Sequence, residues 1–357
     1  MRVLALAYFD PASVVLSHRN LMRSAGHDFR LAVVRAYTGK QREADWVLEQ
    51  MIDESPPNAA RGYWVRRLEK LDLDLNSLRE FAQSADVIQF HPGIGHGDGD
   101  WASREGTIPY GPQEEAYKIA ACFGWTAQFM EDIFAEEVHF IHGSRATWSN
   151  LPLYQEIYRG YEYEGAPVRL ASSTIDYATE LDAAYLPPFV DVGDLRAPLR
   201  GDDDPLLVAH TPTDRVACST EEFLKATRGL GIPVRLGEGL KHKEILQLKA
   251  ECNAGFDHLR GAFSVNTLEN AALGLAPLFK LADKYRDRFD AECHDIYIES
   301  LGYNRIAQSG GLRDAIRALD ADPCWMRGQQ RNARSWWETY FSAEPITKRL
   351  VKFYEGL

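Results

Sequence analysis

The sequence lacks the features that mark several specialised classes of protein. No apolar run approaches the roughly 20 residues that a membrane-spanning helix needs, and Met1 and Arg2 lead directly into a strand-like segment rather than a signal peptide. The five cysteines stand far apart, without a Cys-x-x-Cys pair or a Cys/His cluster. This spacing favours reduced thiols over a disulfide framework or a zinc site. These absences predict a cytoplasmic protein without a transmembrane segment.

Positive charge is also scarce. The chain has 40 Lys and Arg residues against 52 Asp and Glu residues, a formal net charge of -12 and a pI near 5.4. Such a balance disfavours non-specific binding to nucleic acid or to anionic membranes. With 357 residues, 45% of them apolar, the chain is long enough for two domains with separate cores.

Short apolar runs alternate with segments of helical periodicity through both halves of the chain. This alternation predicts parallel sheets and an α/β fold. The runs that read as strands are 3–9, 29–34, 85–90, 138–141, 168–172, 204–210, 232–236, 255–259 and the segment after Gly274.

The segment from Phe263 to Leu278 reads as a loop, a helix, a glycine stop and a buried strand. The N-terminus of a helix carries about half a positive charge and unpaired N–H groups, so it attracts a diphosphate. Glu269 lies one turn into this helix. Its carboxylate could accept hydrogen bonds from the two hydroxyls of a ribose.

Three motifs follow one another along the second half of the chain. They are His-Thr-Pro-Thr-Asp-Arg from His210, Leu-Lys-His-Lys-Glu from Leu240, and Phe-Ser-Val-Asn-Thr-Leu-Glu-Asn-Ala-Ala-Leu-Gly-Leu-Ala-Pro from Phe263. The order resembles the donor-binding domain of GT-B fold glycosyltransferases of the family 4/1-like superfamily. Residues 269–277 match its Glu-Ala-Met-Ala-x-Gly-x-Pro pattern, with departures at Asn270 and Leu273. The resemblance implies two Rossmann-like domains facing across a cleft.

The resemblance also implies a domain division. Residues 1–192 would form the acceptor-binding domain and residues 204–335 the nucleotide-sugar-binding domain, with a linker at 191–205 between them. Residues 336–357 would form a C-terminal helix that packs back toward the N-terminal domain. The Leu-Pro-Pro-Phe-Val-Asp run at 186–191 resembles the segment by which such chains leave the first domain.

On this resemblance, donor binding falls to the second domain. Glu269 would hold the ribose, and cations such as Arg215, Lys241 or Lys243 would neutralise the leaving diphosphate. The remaining expected donor contacts are His210, Thr211, Asp257, Arg260, Gly261, Phe263, Ser264, Val265 and Thr267. Gly261 departs from the pattern, because retaining members commonly carry a second Glu there. The stereochemical outcome therefore stays open.

Candidate residues for the acceptor side lie at strand ends and loops of the first half. His142 and His91 lie at predicted strand ends, and Asp98 lies in the loop after His91; these three are the catalytic candidates. A histidine suits a proton acceptor near neutral pH. Asp10, Gly93, Gly95, Gly143 and Ser144 are expected in the acceptor-side loops. Asp98-Gly99-Asp100 resembles a metal-binding DxD motif of another glycosyltransferase fold, but GT-B enzymes generally work without that ion, so no metal is expected.

The sequence therefore predicts a glycosyltransferase that needs no cofactor and uses a nucleotide sugar, UDP-linked, as co-substrate. The expected acceptor is a surface polysaccharide or a lipid-linked glycan. One alternative is a DNA-modifying glucosyltransferase that acts on a hydroxylated base. Another is a binding protein without turnover. A nicotinamide-dependent oxidoreductase is disfavoured, because Asp98 stands where a Gly-x-Gly-x-x-Gly fingerprint starting at Gly93 needs its last glycine.

Overall fold

The computed structural model describes residues 1–7, 13–33, 43–47, 77–78, 80–81, 84–91, 140–143, 169–180, 182–216, 218–259, 261, 264–293 and 311–356. The chain divides into two compact units. The first comprises Met1–Ser173, Glu180–Pro188 and Thr347–Leu357. The second comprises Thr174–Thr179 and Phe189–Ile346.

The first unit is built on a seven-stranded sheet in the order β3-β2-β1-β4-β5-β6-β7, and every described pairing in it is parallel. Its strands are β1 (Arg2–Ala7), β2 (Asp28–Val33), β3 (Trp46–Val47), β4 (Val87–His91), β5 (Phe140–Gly143), β6 (Arg169–Ser172) and β7 (Ala184–Tyr185). Helix α1 (Val14–Ser24) accompanies them. Helix α2 (Ile175–Glu180) follows β6 in the chain, and its residues up to Thr179 belong to the second unit.

Strand β1 lies inside this sheet, between β2 and β4. Val3, Leu4 and Ala5 are fully buried, which accounts for an uninterrupted apolar run rather than an alternating one, since a parallel strand inside a sheet is covered on both faces. Helix α1 ends just before Gly26, which adopts the left-handed conformation with φ of 86° that commonly terminates a helix.

The second unit contains a four-stranded parallel sheet in the order β11-β10-β8-β9. Its strands are β8 (Val208–His210), β9 (Val234–Leu236), β10 (Ala254–Phe256) and β11 (Ala276–Leu278). The helices between them are α3 (Thr220–Thr227), α4 (His242–Ala250) and α5 (Val265–Leu273). They are followed by α6 (Arg286–Cys293), α7 (Leu312–Ala321), α8 (Pro323–Tyr340) and α9 (Ala343–Glu355).

The core of the second unit joins its sheet to α3 and α7. Phe223 and Phe256 stack with ring centroids 4.6 Å apart, and Ile316 is fully buried in the same cluster. Helix α5 packs on the β10 strand so closely that an added Cβ at Gly255 would lie 2.4 Å from Cγ of Asn270. Only glycine fits this crossing.

The segment 191–205, expected to be a linker, is folded against the second unit. Arg200 is only 4% exposed and donates to the carbonyl oxygen of Leu319 at 2.8 Å and to the carboxylate of Asp320 at 2.9 Å. The Ala197 amide donates to the carbonyl of Leu273, the last residue of α5. These contacts make the segment part of that unit, which begins at Phe189 in this stretch of chain.

The last residues of α9 belong to the first unit. The Tyr354 hydroxyl is hydrogen-bonded to the Gln89 side chain on β4, and its ring meets that of Phe29 on β2 edge-on at 6.0 Å. The chain therefore returns to complete a core that its first strands began. Among the described residues, no helix is both long enough and apolar enough to cross a membrane.

Candidate functional site

The candidate site lies at the carboxyl edge of the four-stranded sheet. Strand β10 ends at Phe256, Asp257 follows, and the chain then enters α5, whose N-cap is Ser264. The carboxyl edge of a parallel sheet is where such folds bind ligands. The first amides of α5 have no partner within the helix, which makes this end suitable for an anion.

Asp257 organises the start of α5. Its buried carboxylate accepts hydrogen bonds from the hydroxyls of Ser264 at 2.6 Å and Thr267 at 2.7 Å, and from the side-chain amide of Asn266 at 3.2 Å. Burial alone would raise the pKa of Asp257, but nearby His258 and these hydrogen bonds outweigh it and lower the pKa. Ser264 and Thr267 are thus both hydrogen-bonded to Asp257, and all three residues were expected as donor contacts.

Glu269 is held between two basic side chains. Its Oε2 accepts from the Lys249 ammonium at 2.5 Å, and its Oε1 lies 2.8 Å from Nε2 of His242. The Glu269 side chain is 8% exposed and that of Lys249 is 1% exposed, whereas the His242 ring is 44% exposed. One carboxylate oxygen therefore faces the interior and the other faces a partly exposed imidazole.

Acid is expected to destabilise the second unit through Glu269. Burial disfavours the charged carboxylate, but Lys249 and His242 more than offset it and lower the pKa of Glu269 from 4.5 to about 2. The stabilisation is therefore complete above about pH 4.5 and is lost as the pH falls towards 2, by an amount on the order of 3 kcal/mol. The free energy of unfolding, measured from pH 7 to 2, should fall more steeply for the unsubstituted chain than for Glu269→Gln. Parallel curves would contradict this assignment.

A continuous polar network links Glu269 to the end of β8. Lys249 also donates to Oδ1 of Asn266, and the same oxygen accepts from the Thr211 hydroxyl at 3.2 Å. Thr211 follows the last residue of β8, so it lies where a donor contact was expected. Lys249, Asn266 and His242 were not among the residues expected to contact the donor.

His210 lies in the core rather than at an exposed site. It is fully buried, with its ring between Phe223 and Phe256 at centroid distances of 4.9 and 5.0 Å. Its Nε2 is 2.9 Å from the Thr220 hydroxyl and its Nδ1 is 3.3 Å from the carbonyl oxygen of Phe256. Burial lowers the pKa of His210 to about 4, despite the opposing effect of the bond to Phe256. This buried environment does not favour the donor contact expected of His210, which stays a prediction.

The expected cations differ in availability. Arg215 is half exposed and engaged by two carboxylates, Glu221 at 2.7 Å and Glu238 at 2.6 Å. It therefore links the first turn of α3 to the loop after β9 instead of standing free for an anion. Lys241 and Lys243 are exposed at the start of α4, where the Lys241 amide is capped by Glu244 at 2.8 Å. Their expected role as diphosphate cations stays a prediction.

Gly261 forms an isolated parallel bridge with Leu281. Its φ is 82°, and an added Cβ would lie 2.9 Å from Cβ of Ala282. A side chain here would be both strained and crowded, so the glycine that replaces the expected glutamate follows from the local backbone. Val265, the first residue of α5, lies nearby in sequence and is half-buried.

In the first unit, the backbone places two candidates on neighbouring strands. His91 ends β4, and His142 and Gly143 end β5, which pairs with β4 in parallel register. Both histidines therefore lie at the carboxyl edge of the seven-stranded sheet. Several expected site residues from both halves of the chain fall outside the described residues: Asp10, Gly93, Gly95, Asp98 and Ser144 from the first half, and Arg260 and Phe263 from the second.

Several solved structures are similar to this chain. The apo form of the lipopolysaccharide outer core galactosyltransferase WaaB aligns over 100% of both chains with 10% identity and a TM-score of 0.50. MurG of Acinetobacter baumannii aligns over 100% of both chains with 10% identity and a TM-score of 0.44. SnogD of Streptomyces nogalater aligns over 99% of both chains with 14% identity and a TM-score of 0.41.

The likeness to WaaB confirms the fold predicted from the sequence. The chain has the GT-B fold, an α/β architecture of two Rossmann-like domains. No protein-family model matches the sequence, and no curated protein matches it.

Proposed function

We propose that this protein is a glycosyltransferase that moves a sugar from a UDP-linked donor to a glycan acceptor. The observation that carries the proposal is the buried Glu269 carboxylate, paired with Lys249 and fixed one turn inside a helix whose N-terminus opens at the carboxyl edge of the second sheet. This geometry matches what a nucleoside diphosphate requires, with an acceptor for the ribose hydroxyls beside a set of amides for phosphate.

Departure of the nucleoside diphosphate is the step in which negative charge develops. The amides at the start of α5 and the ammonium groups of Lys241 and Lys243 are the described groups suited to stabilise it. This arrangement supports a reaction that does not require a metal ion. Aspartate and glutamate side chains would then serve to hold the nucleoside and the helix start.

The acceptor is proposed to bind at the carboxyl ends of β4 and β5 in the first unit. His91 and His142 end these strands, and a neutral imidazole is suited to take the proton from an attacking hydroxyl. The name of the similar WaaB structure, a lipopolysaccharide outer core galactosyltransferase, favours a surface polysaccharide or lipid-linked glycan as acceptor.

A ligand screen tests the proposal. UDP and UDP-sugars are expected to raise the melting temperature of the purified protein, and a glycan acceptor mixture should then release UDP from the sugar nucleotide in the presence of EDTA. Reduced nicotinamide cofactors serve as the negative control. Absence of stabilisation by any nucleoside diphosphate would contradict the proposal, and tight binding without consumption of donor would instead indicate a binding protein.

A further inference from the structure

We propose that Lys249 is a positioning residue for nucleoside recognition, which holds one oxygen of the Glu269 carboxylate so that the other faces the ribose. This inference rests on the proposed function, because it assigns the ribose to Glu269. It adds a residue from a different helix to the site, and it explains why a lysine occupies a buried position.

Lys249 lies near the end of α4, on the face that also buries Leu246. Its side chain is 1% exposed, and its ammonium donates to Oε2 of Glu269 and to Oδ1 of Asn266. Burial of an ammonium group is costly unless its donors are matched by acceptors. Both of these acceptors come from the first turn and a half of α5, so Lys249 fastens α4 to the helix that bears the candidate site.

The two carboxylate oxygens of Glu269 face different partners in this arrangement. Oε2 points to the buried ammonium, and Oε1 points to His242, whose ring is 44% exposed. A carboxylate oxygen can accept two hydrogen bonds. Oε1 can therefore receive a ribose hydroxyl while Lys249 holds the other oxygen, and the carboxylate cannot rotate without breaking the buried ion pair.

Asn266 connects this pair to the expected phosphate end of the site. Its side-chain oxygen also accepts from Thr211, its side-chain amide donates to Asp257, and its backbone amide donates to Ser264 at the N-cap. Lys249 thus holds the ribose-binding carboxylate and the first turn of α5 in one hydrogen-bonded frame. The ribose and diphosphate subsites are set relative to each other before a ligand arrives.

Binding of UDP and of 2′,3′-dideoxy-UDP, measured by calorimetry, tests this role. The unsubstituted protein is expected to bind UDP about 10- to 100-fold more tightly than the dideoxy compound, the ratio that one or two hydrogen bonds to a charged group produce. In Lys249→Met the ratio should fall to about 2-fold or less, because Glu269 loses the cation that keeps it ionised and oriented. Lys225→Met removes an exposed lysine from α3 and should leave the ratio unchanged.

The ratio distinguishes positioning from a purely structural role, because loss of structure would weaken both ligands equally. An unchanged ratio in Lys249→Met would overturn the inference, as would equal affinities for the two ligands in the unsubstituted protein. No affinity for any nucleoside diphosphate would overturn the proposed function, and this inference with it.

If Lys249→Met does not fold, the ¹³Cδ resonance of Glu269, assigned with Glu269→Gln, provides the test in the unsubstituted protein. It should shift with UDP and not with the dideoxy compound, and equal shifts would reject the inference.

Discussion

Replacement of Glu269 by alanine is expected to lower the free energy of unfolding of the second unit by about 3–5 kcal/mol. The substitution leaves the Lys249 ammonium, 1% exposed, without its carboxylate, and an unpaired buried charge is the costly outcome of breaking such a pair. The same variant should lose stabilisation by UDP. Urea unfolding followed by fluorescence, with and without UDP, measures both effects.

Two further variants separate stability from recognition. Glu269→Ala combined with Lys249→Met removes both charges and should recover much of the lost stability, yet it should not recover nucleotide binding. Glu238→Ala is a matched surface control, because Glu238 forms a partly exposed ion pair with Arg215. This substitution should lower the free energy of unfolding far less. The account is wrong if Glu269→Ala is no less stable than this control.

Gly255→Ala is expected to destabilise the second unit by about 3 kcal/mol, since the new methyl group has no room. It would lie 2.4 Å from Cγ of Asn270 and 2.5 Å from both of its terminal atoms. The Asn270 carboxamide is buried and has no hydrogen-bond partner in the part of the chain that the structure describes. Combining Gly255→Ala with Asn270→Ala should therefore restore most of the stability, as measured by urea unfolding.

Gly328→Ala on α8 is the control for this pair. An added Cβ there meets no atom within 4 Å, so the substitution should be neutral or slightly stabilising. A double variant that is no more stable than Gly255→Ala would show that the clash lies elsewhere than at Asn270.

The sequence was sufficient to predict the start of the candidate site and most of the described strands, but not the two-residue strands β3 (Trp46–Val47) and β7 (Ala184–Tyr185). Short apolar runs marked the buried parallel strands, and the position of Glu269 before Gly274 marked α5 and its end. The backbone of a parallel sheet largely determines these features, because strand burial and helix termination are read from neighbouring residues. The bounds of β8 were predicted less well, since the acidic residues before Leu206 lie outside the strand.

Side-chain partnerships between distant elements could not be predicted in the same way. Lysine is ordinarily solvated, and the burial of Lys249 depends on how α4 packs against α5. His210 ends a strand that turned out to be flanked by β10 and β9, and its aromatic neighbours lie 13 and 46 residues further along the chain. Helical spacing that places Lys249 three residues after buried Leu246 was the one local signal of its position.

The return of α9 to the first unit has a consequence for how the protein is made. Residues up to Ile346 complete the second unit, but the first unit also requires Thr347–Leu357, and with them the Tyr354 bond to Gln89. The half of the chain that is synthesised first is therefore finished last.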